Sequence, residues 1–294
     1  MLFPGFEQKR VAGQGAEINL RVGGKGPALL LLHGYPQTHA MWHLVAPRLA
    51  KDFTVVCPDL RGYGDSSKPA TEPDHSSYSF RAMAADMAEV MRKLGHEEFF
   101  LAGHDRGGRV SHRLTLDHQP RVKKVATLDI VPTVYLYENI TQQIATGYYH
   151  WFWLIQPAPF PEKMIGSDPE FYLRKKTGHW SNAGFKFDEE AMAEYLRCFA
   201  NPDTIHASCE DYRAAASIDL VHDRADAAAG KRITCPTLVL WGNKGLMGKA
   251  YDVLEAWRDR VSGPLSGHAV NSGHFLPEEA PEETYAALHK FFTS

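Results

Sequence analysis

Glu98–Val110 reads EFFLAGHDRGGRV: an apolar run, then Gly103-His104-Asp105-Arg106-Gly107, then a helix-compatible stretch. That is the spacing of a nucleophile elbow, Gly-x-Nuc-x-Gly on a sharp strand-to-helix turn, with aspartate in the serine position. Glycines flank the nucleophile because such a turn leaves no room for Cβ atoms. No Gly-x-Ser-x-Gly occurs anywhere in the chain. An elbow lifts its side chain over the C-terminal edge of a parallel sheet, where open α/β sheets bind ligands. Alone, the pentad serves equally well as a helix capped by aspartate, so the surrounding sequence has to decide.

Around the elbow lie other short apolar runs that end in turn residues: Ala28–Gly34, Phe53–Asp59, Val122–Asp129 and Thr237–Gly242. Runs of this kind suit strands buried on both faces of a parallel sheet. Gly5–Ala12 and Ala16–Val22, split by Gly13-Gln14-Gly15, read as an antiparallel hairpin. In SFRAMAADMAEVMRKLG, Met83, Met87, Val90, Met91 and Leu94 form one stripe that stops at Gly95, a helix signature. Alternating strand and helix predict a mostly parallel doubly wound sheet, and the elbow set on it makes the expected fold that of an α/β hydrolase. From about Pro132 to Ala229 the pattern breaks into an aromatic run (GYYHWFWLIQPAPF) and helical segments. Nearly a hundred residues are too many for a loop. The expected organisation is a core domain of 1–131 and 230–294 with a helical cap, 132–229, inserted in it.

Composition narrows the class. A net charge of −3, with 44% hydrophobic and 23% charged residues, gives no reason to expect nucleic acid or an anionic membrane as partner. Cys57, Cys198, Cys209 and Cys235 form no CxxC pair, so reduced thiols and a cytoplasmic location are expected. The start MLFPGFEQKR lacks the pattern of a signal peptide. No metal-ligand spacing is visible, and neither metal nor cofactor is expected. Oligomeric state is not legible, and a homodimer, the commonest assembly, is the default.

Two further segments complete a hydrolase constellation. His33-Gly34-Tyr35-Pro36 follows a buried strand, and its backbone N–H groups, with that of Arg106, suit an oxyanion hole. His274, in NSGHFLPEEAPEE before the last helix, stands where this fold carries its general base. The acid that orients it is less direct. After the run Thr237–Gly242, Asn243-Lys244-Gly245 offers no carboxylate, so Asp129, ending the preceding strand, is the substitute. Asp219, Asp223 and Asp226 are its rivals. A carboxylate nucleophile attacking saturated carbon gives an alkyl ester, which suits carbon–halogen bonds and epoxides. Arg106 and Arg109, three apart on the elbow helix, share a face beside Asp105. A guanidinium pair in an apolar pocket is costly without an anion, which points to a substrate carrying its own carboxylate. The plainer alternative is that Arg109, like Arg113, pairs with a surface acid.

At GHDRGGRVSHRL, with HGYPQTHAMWH before it and YYHW after, the chain resembles the haloacetate dehalogenases over nearly its whole length. The resemblance implies hydrolysis of short 2-halo acids, with fluoroacetate the sharpest candidate. It implies Asp105 as nucleophile, His274 as base, Asp129 as its acid, and Arg106 and Arg109 on the substrate carboxylate. It also implies a halide site at His150, Trp151 and Tyr212, and a pocket entry lined by Lys176 and Trp180. Without it, His150, Trp151 and Tyr212 would read as core aromatics. Two rivals remain open. Epoxide hydrolases share the aspartate nucleophile and use lid tyrosines, for which Tyr148, Tyr149 and Tyr212 are available. A non-catalytic receptor on the same scaffold is the other. Haloalkane dehalogenases typically follow the nucleophile with Trp, where this chain has Arg106.

Overall fold

The computed structural model describes residues 1–294. Eight strands form one sheet: β1 (Glu7–Ala12), β2 (Glu17–Gly23), β3 (Ala28–Leu32), β4 (Thr54–Pro58), β5 (Phe99–His104), β6 (Val122–Leu128), β7 (Thr237–Gly242) and β8 (Leu265–Val270). Their order is β1-β2-β4-β3-β5-β6-β7-β8. The hairpin β1–β2 joins β4 antiparallel, and every other pair is parallel. The apolar runs occupy the middle, and Leu29 to Leu32 are wholly buried. A central parallel strand is covered by helices on both faces, so it has no polar side to alternate with.

Helix Phe80–Lys93 carries Met83, Met87, Val90 and Met91 inward. Ser79 caps its start by accepting from the Ala82 N–H, and Gly95, at φ +86°, closes its end. It packs beside the elbow helix Arg106–Asp117. Between β6 and β7 no strand occurs; helices fill the interval from Thr133 to Ala228. No helix is long and apolar enough to cross a membrane.

What matters for the site is the register at the C-terminal ends of β5, β6 and β7. His104 pairs with Leu128 and Leu128 with Leu240. The Asp105 N–H bonds the Leu128 carbonyl at 3.2 Å and the Asp129 N–H bonds that of Leu240 at 2.8 Å. Asp105 and Asp129 therefore leave neighbouring strands at the same height, both with positive φ, +48° and +53°. The strand β8, absent from the expectation, pairs with β7 alone.

Candidate active site

The elbow is built by close approach. A Cβ on Gly107 would stand 2.4 Å from the His33 carbonyl oxygen, and one on Gly34 would stand 2.5 Å from the Asp105 Cβ. Both glycines let the turn after β3 slide under the nucleophile. The Tyr35 N–H reaches Asp105 Oδ1 at 2.9 Å. His33 fixes that turn, with Nδ1 3.0 Å from the Gly34 carbonyl and Nε2 accepting from the Leu60 N–H at 3.0 Å. Asp105 Oδ2 lies 3.9 Å from His274 Nε2. The two carboxylate oxygens thus differ: Oδ1 is held by backbone and Oδ2 faces the imidazole.

His274 Nδ1 meets Asp129 Oδ2 at 2.6 Å, and Asp129 Oδ1 accepts from the Gly242 N–H at 2.9 Å. Asp129 is therefore the partner of the histidine. Its sequence rivals are engaged elsewhere: Asp223 and Asp226 pair with Arg113, and Asp219 accepts from the Phe80 N–H. Burial disfavours the His274 imidazolium, but Asp129 and Asp105 outweigh it and raise the pKa above the ordinary 6.5. Burial likewise works against the Asp105 carboxylate, yet His274, and after it Arg106 and Arg109, hold its pKa below the usual value. His104 is itself driven down to about 3, by burial first and by His274 second. It stays neutral, with Nε2 2.7 Å from the His274 carbonyl oxygen.

The two arginines part company. Arg106 is wholly buried and bound by Asp211: Nε donates to Oδ2 at 2.9 Å, and Nη2 donates to Oδ1 and to the backbone carbonyl. Tyr63 donates to the same carboxylate at 2.6 Å, which leaves only Arg106 Nη1 without a partner. Arg109, 3% exposed, finds no carboxylate at all. It donates to the Val131 carbonyl and Thr133 Oγ1 at 3.0 and 3.1 Å, and its Nε has no partner. Burial, then the neighbouring Arg106, pull its pKa down to about 10. Arg113 does pair with acids, Asp117, Asp223 and Asp226, though these are buried or half-buried and not on the surface; Arg109 pairs with none.

Over the elbow the helical insertion brings His150, Trp151, Tyr212 and Trp180 together. The His150 ring centroid is 5.4 Å from Tyr212 and 4.6 Å from Trp180, and Trp151 is 5.6 Å from Tyr212. The Tyr35 ring lies 5.3 Å from that of Tyr212. Trp151 also lies under the Arg109 guanidinium, 4.4 Å from centroid to Cζ. His150 Nδ1, Tyr212 Oη, Trp180 Nε1 and Lys176 Nζ are buried without a protein partner. Each such group costs about 1–3 kcal/mol if nothing meets it, which makes this cluster the candidate ligand site. Burial, then Lys176, keep His150 neutral. The Lys176 ammonium sits 3.5 Å above the Tyr149 ring, with its pKa pulled down to about 7 by burial.

Two participants escaped the sequence reading, and Tyr148 entered it only as a lid-tyrosine candidate. Asp211 neutralises Arg106 from across the insertion; its only signal is that a buried guanidinium needs an acid and Glu210-Asp211 adjoin Tyr212. Glu279 accepts from the N–H groups of Gly273, Phe275 and Asn182 at 2.9, 2.8 and 2.6 Å, clamping the His274 loop. Its signal is a carboxylate in the first turn of a short helix, reaching back to free N–H groups. Tyr148 places its hydroxyl 3.5 Å from His274 Nδ1.

The chain has relatives among known proteins. Residues 27–281 match the family described as alpha/beta hydrolase fold. A fluoroacetate dehalogenase from Burkholderia sp. is 46% identical over 99% of this chain and 95% of its own. A soluble epoxide hydrolase from Corynebacterium sp. (strain C12) is 32% identical over 95% and 94%. The crystal structure of an α/β hydrolase from Nostoc sp. PCC 7120 superposes with a TM-score of 0.97 at 58% identity, covering 100% of this chain and 99% of that one. The chain belongs to the α/β-hydrolase family, as a hydrolase of its haloacetate dehalogenase branch.

Proposed function

We propose that this chain hydrolyses short 2-halo carboxylic acids, turning fluoroacetate or chloroacetate and water into glycolate, halide and a proton. The observation that carries the substrate class is Arg109, a buried cation with no carboxylate of its own, one helical turn beyond an ionised aspartate. A substrate carboxylate supplies the missing partner, aided by the free Nη1 of Arg106. That grip turns the C2 carbon toward Asp105 Oδ2. Oδ2 attacks, the carbon–halogen bond breaks, and the halide departs with the bonding electrons toward His150, Trp151 and Tyr212. Donors to a charged acceptor contribute roughly 1.5–3 kcal/mol each, which matters most for fluoride, the poorest leaving group. The helical insertion, 132–229, acts as the cap that excludes water from this step.

The ester is then opened by water. Nδ1–H of His274 is committed to Asp129, so Nε2 takes the water's proton. Hydroxide adds to the Asp105 carbonyl carbon, the negative charge gathers on Oδ1, and the Tyr35 N–H steadies it. Collapse releases glycolate and restores the carboxylate.

The deciding experiment is halide release with His274→Asn. One halide per active site, followed by arrest with a carboxymethyl group on Asp105 by mass spectrometry, is expected; Asp105→Asn is the blank. Steady turnover by the His274 variant would remove the base from the mechanism. A second reading, epoxide opening, is favoured by the buried unpartnered Tyr212 hydroxyl and by Tyr148 beside His274. Turnover of neutral epoxides but of no halo acid would make it the first.

A further inference from the structure

A cavity of about 640 Å³ opens between the helices Gln142–Gly147 and Pro169–Trp180. A smaller one, about 160 Å³, lies beneath and is walled by Tyr148, Trp180 and His274. The two share Gly147, His179 and Leu246, so together they run from the surface to the base. Their polar lining has one sign. Lys175 and Lys176 stand in the outer cavity, Lys244 and Lys249 in the inner one, and no carboxylate lines either. The lysines of this chain that pair with carboxylates are Lys9, Lys93, Lys123 and Lys231, all elsewhere. Glu279, whose carboxylate reaches Asn182 just beyond, is occupied by three backbone N–H groups.

Three exposed ammonium groups without counter-charges, Lys175, Lys244 and Lys249, around one opening are unexpected in a chain of net charge −3. Like charges repel, and nothing in the fold requires them: Lys175, Lys244 and Lys249 are exposed and hold no element in place. A concave, low-dielectric wall of one sign focuses its field and concentrates ions of the other, with gains of about 10–10³ in encounter rate.

We propose that Lys175, Lys244 and Lys249 form a collecting vestibule for small carboxylate anions, which passes them to the Asp105–His274 centre. This rests on the halo-acid reading for what happens to the anion afterwards, but not for its capture. The lysines touch no reacting atom; they raise the anion's local concentration at the mouth. Their effect belongs to kcat/KM and is screened by salt, because the Debye length shrinks from about 30 Å at 0.01 M to about 3 Å at 1 M.

The test compares wild type with Lys244→Gln/Lys249→Gln, using chloroacetate and a halide-free salt. Wild-type kcat/KM should fall severalfold as salt rises, with kcat little changed. The double variant should start roughly 10-fold lower at low salt, keep its kcat, and respond little to salt. Lys51→Gln, an exposed site at the opposite edge of the sheet, should behave as wild type. Calorimetric binding of acetate, which cannot react, repeats the comparison without turnover. A double variant with the wild-type salt response, or with unchanged acetate affinity, overturns the vestibule and leaves the reaction standing. A protein that turns over no halo acid, yet loses acetate affinity with the two lysines, loses the reaction and keeps the vestibule.

Discussion

Asp105 holds a backbone conformation, φ +48° and ψ −115°, that costs a non-glycine residue about 1–3 kcal/mol. The return is a carboxylate whose two oxygens are chemically distinct and whose charge faces His274 Nε2 at 3.9 Å. That charge makes the imidazole's basicity depend on the reaction's progress. In the resting enzyme, burial lowers the His274 pKa while Asp129 and Asp105 together lift it above 6.5. Alkylation turns Asp105 into a neutral ester and removes one of the two supports, so the imidazole sheds its proton more readily when it must act as base. Only the neutral form accepts a proton, and ester hydrolysis therefore slows as pH falls through the lower, ester-state pKa. The acid limb of single-turnover hydrolysis should lie below the pKa at which His274 titrates by NMR in the resting enzyme. Asp129→Asn should move both downward. A hydrolysis limb at or above the resting value would show that Asp105 does not govern the base.

At the scale of elements, three turns meet at the site: the elbow after β5, the Gly34–Tyr35 turn after β3, and the His274 loop after β8. The first two are fixed by backbone contact, as the missing Cβ atoms of Gly107 and Gly34 record. The third is held by Glu279, which binds the N–H on either side of His274 and also that of Asn182. Glu279→Ala should leave the nucleophile in place and misplace the base. A displacement of about 1 Å can cost roughly 10²-fold in rate. The expected result is an intact burst of halide followed by steady turnover slowed by about that factor. A smaller burst with unchanged steady rate would place the effect on Asp105 instead. The elements themselves were legible to unequal degrees. Buried central strands announce themselves as continuous apolar runs, and the stripe of Met83, Met87 and Met91 marks its helix. The edge strand LSGHAV has only Val270 fully buried and half its residues exposed, so no apolar run betrays it. In GYYHWFW, aromatic side chains that face a pocket look like those that fill a core, and only the family resemblance singled out His150 and Trp151.

Across the whole molecule, the pairing that the chain's local patterns could not disclose is the one between core and insertion. Asp105, Asp129 and His274 were readable because each ends a strand or precedes a helix at a fixed place in the fold. Arg106 and Asp211 are 105 residues apart, and no local period links them. Yet this pair, Arg113 with Asp223 and Asp226, the Phe80 N–H on Asp219, and the His274 N–H on the Trp180 carbonyl at 2.9 Å join the two parts through buried polar contacts. Removing one partner of a buried ion pair costs about 3–5 kcal/mol, because the other charge stays behind. An insertion tied down in this way should not melt ahead of the sheet. Calorimetry should therefore give one transition with equal calorimetric and van't Hoff enthalpies. Asp211→Asn, which strands the Arg106 guanidinium against the Phe80 and Tyr212 rings, should lower the melting temperature of that single transition by the equivalent of about 3–5 kcal/mol. Two resolved transitions in the wild type, or an early one split off by the substitution, would mean that the insertion unfolds on its own. The ion pairs would then serve the site's charge balance more than the cohesion of the fold.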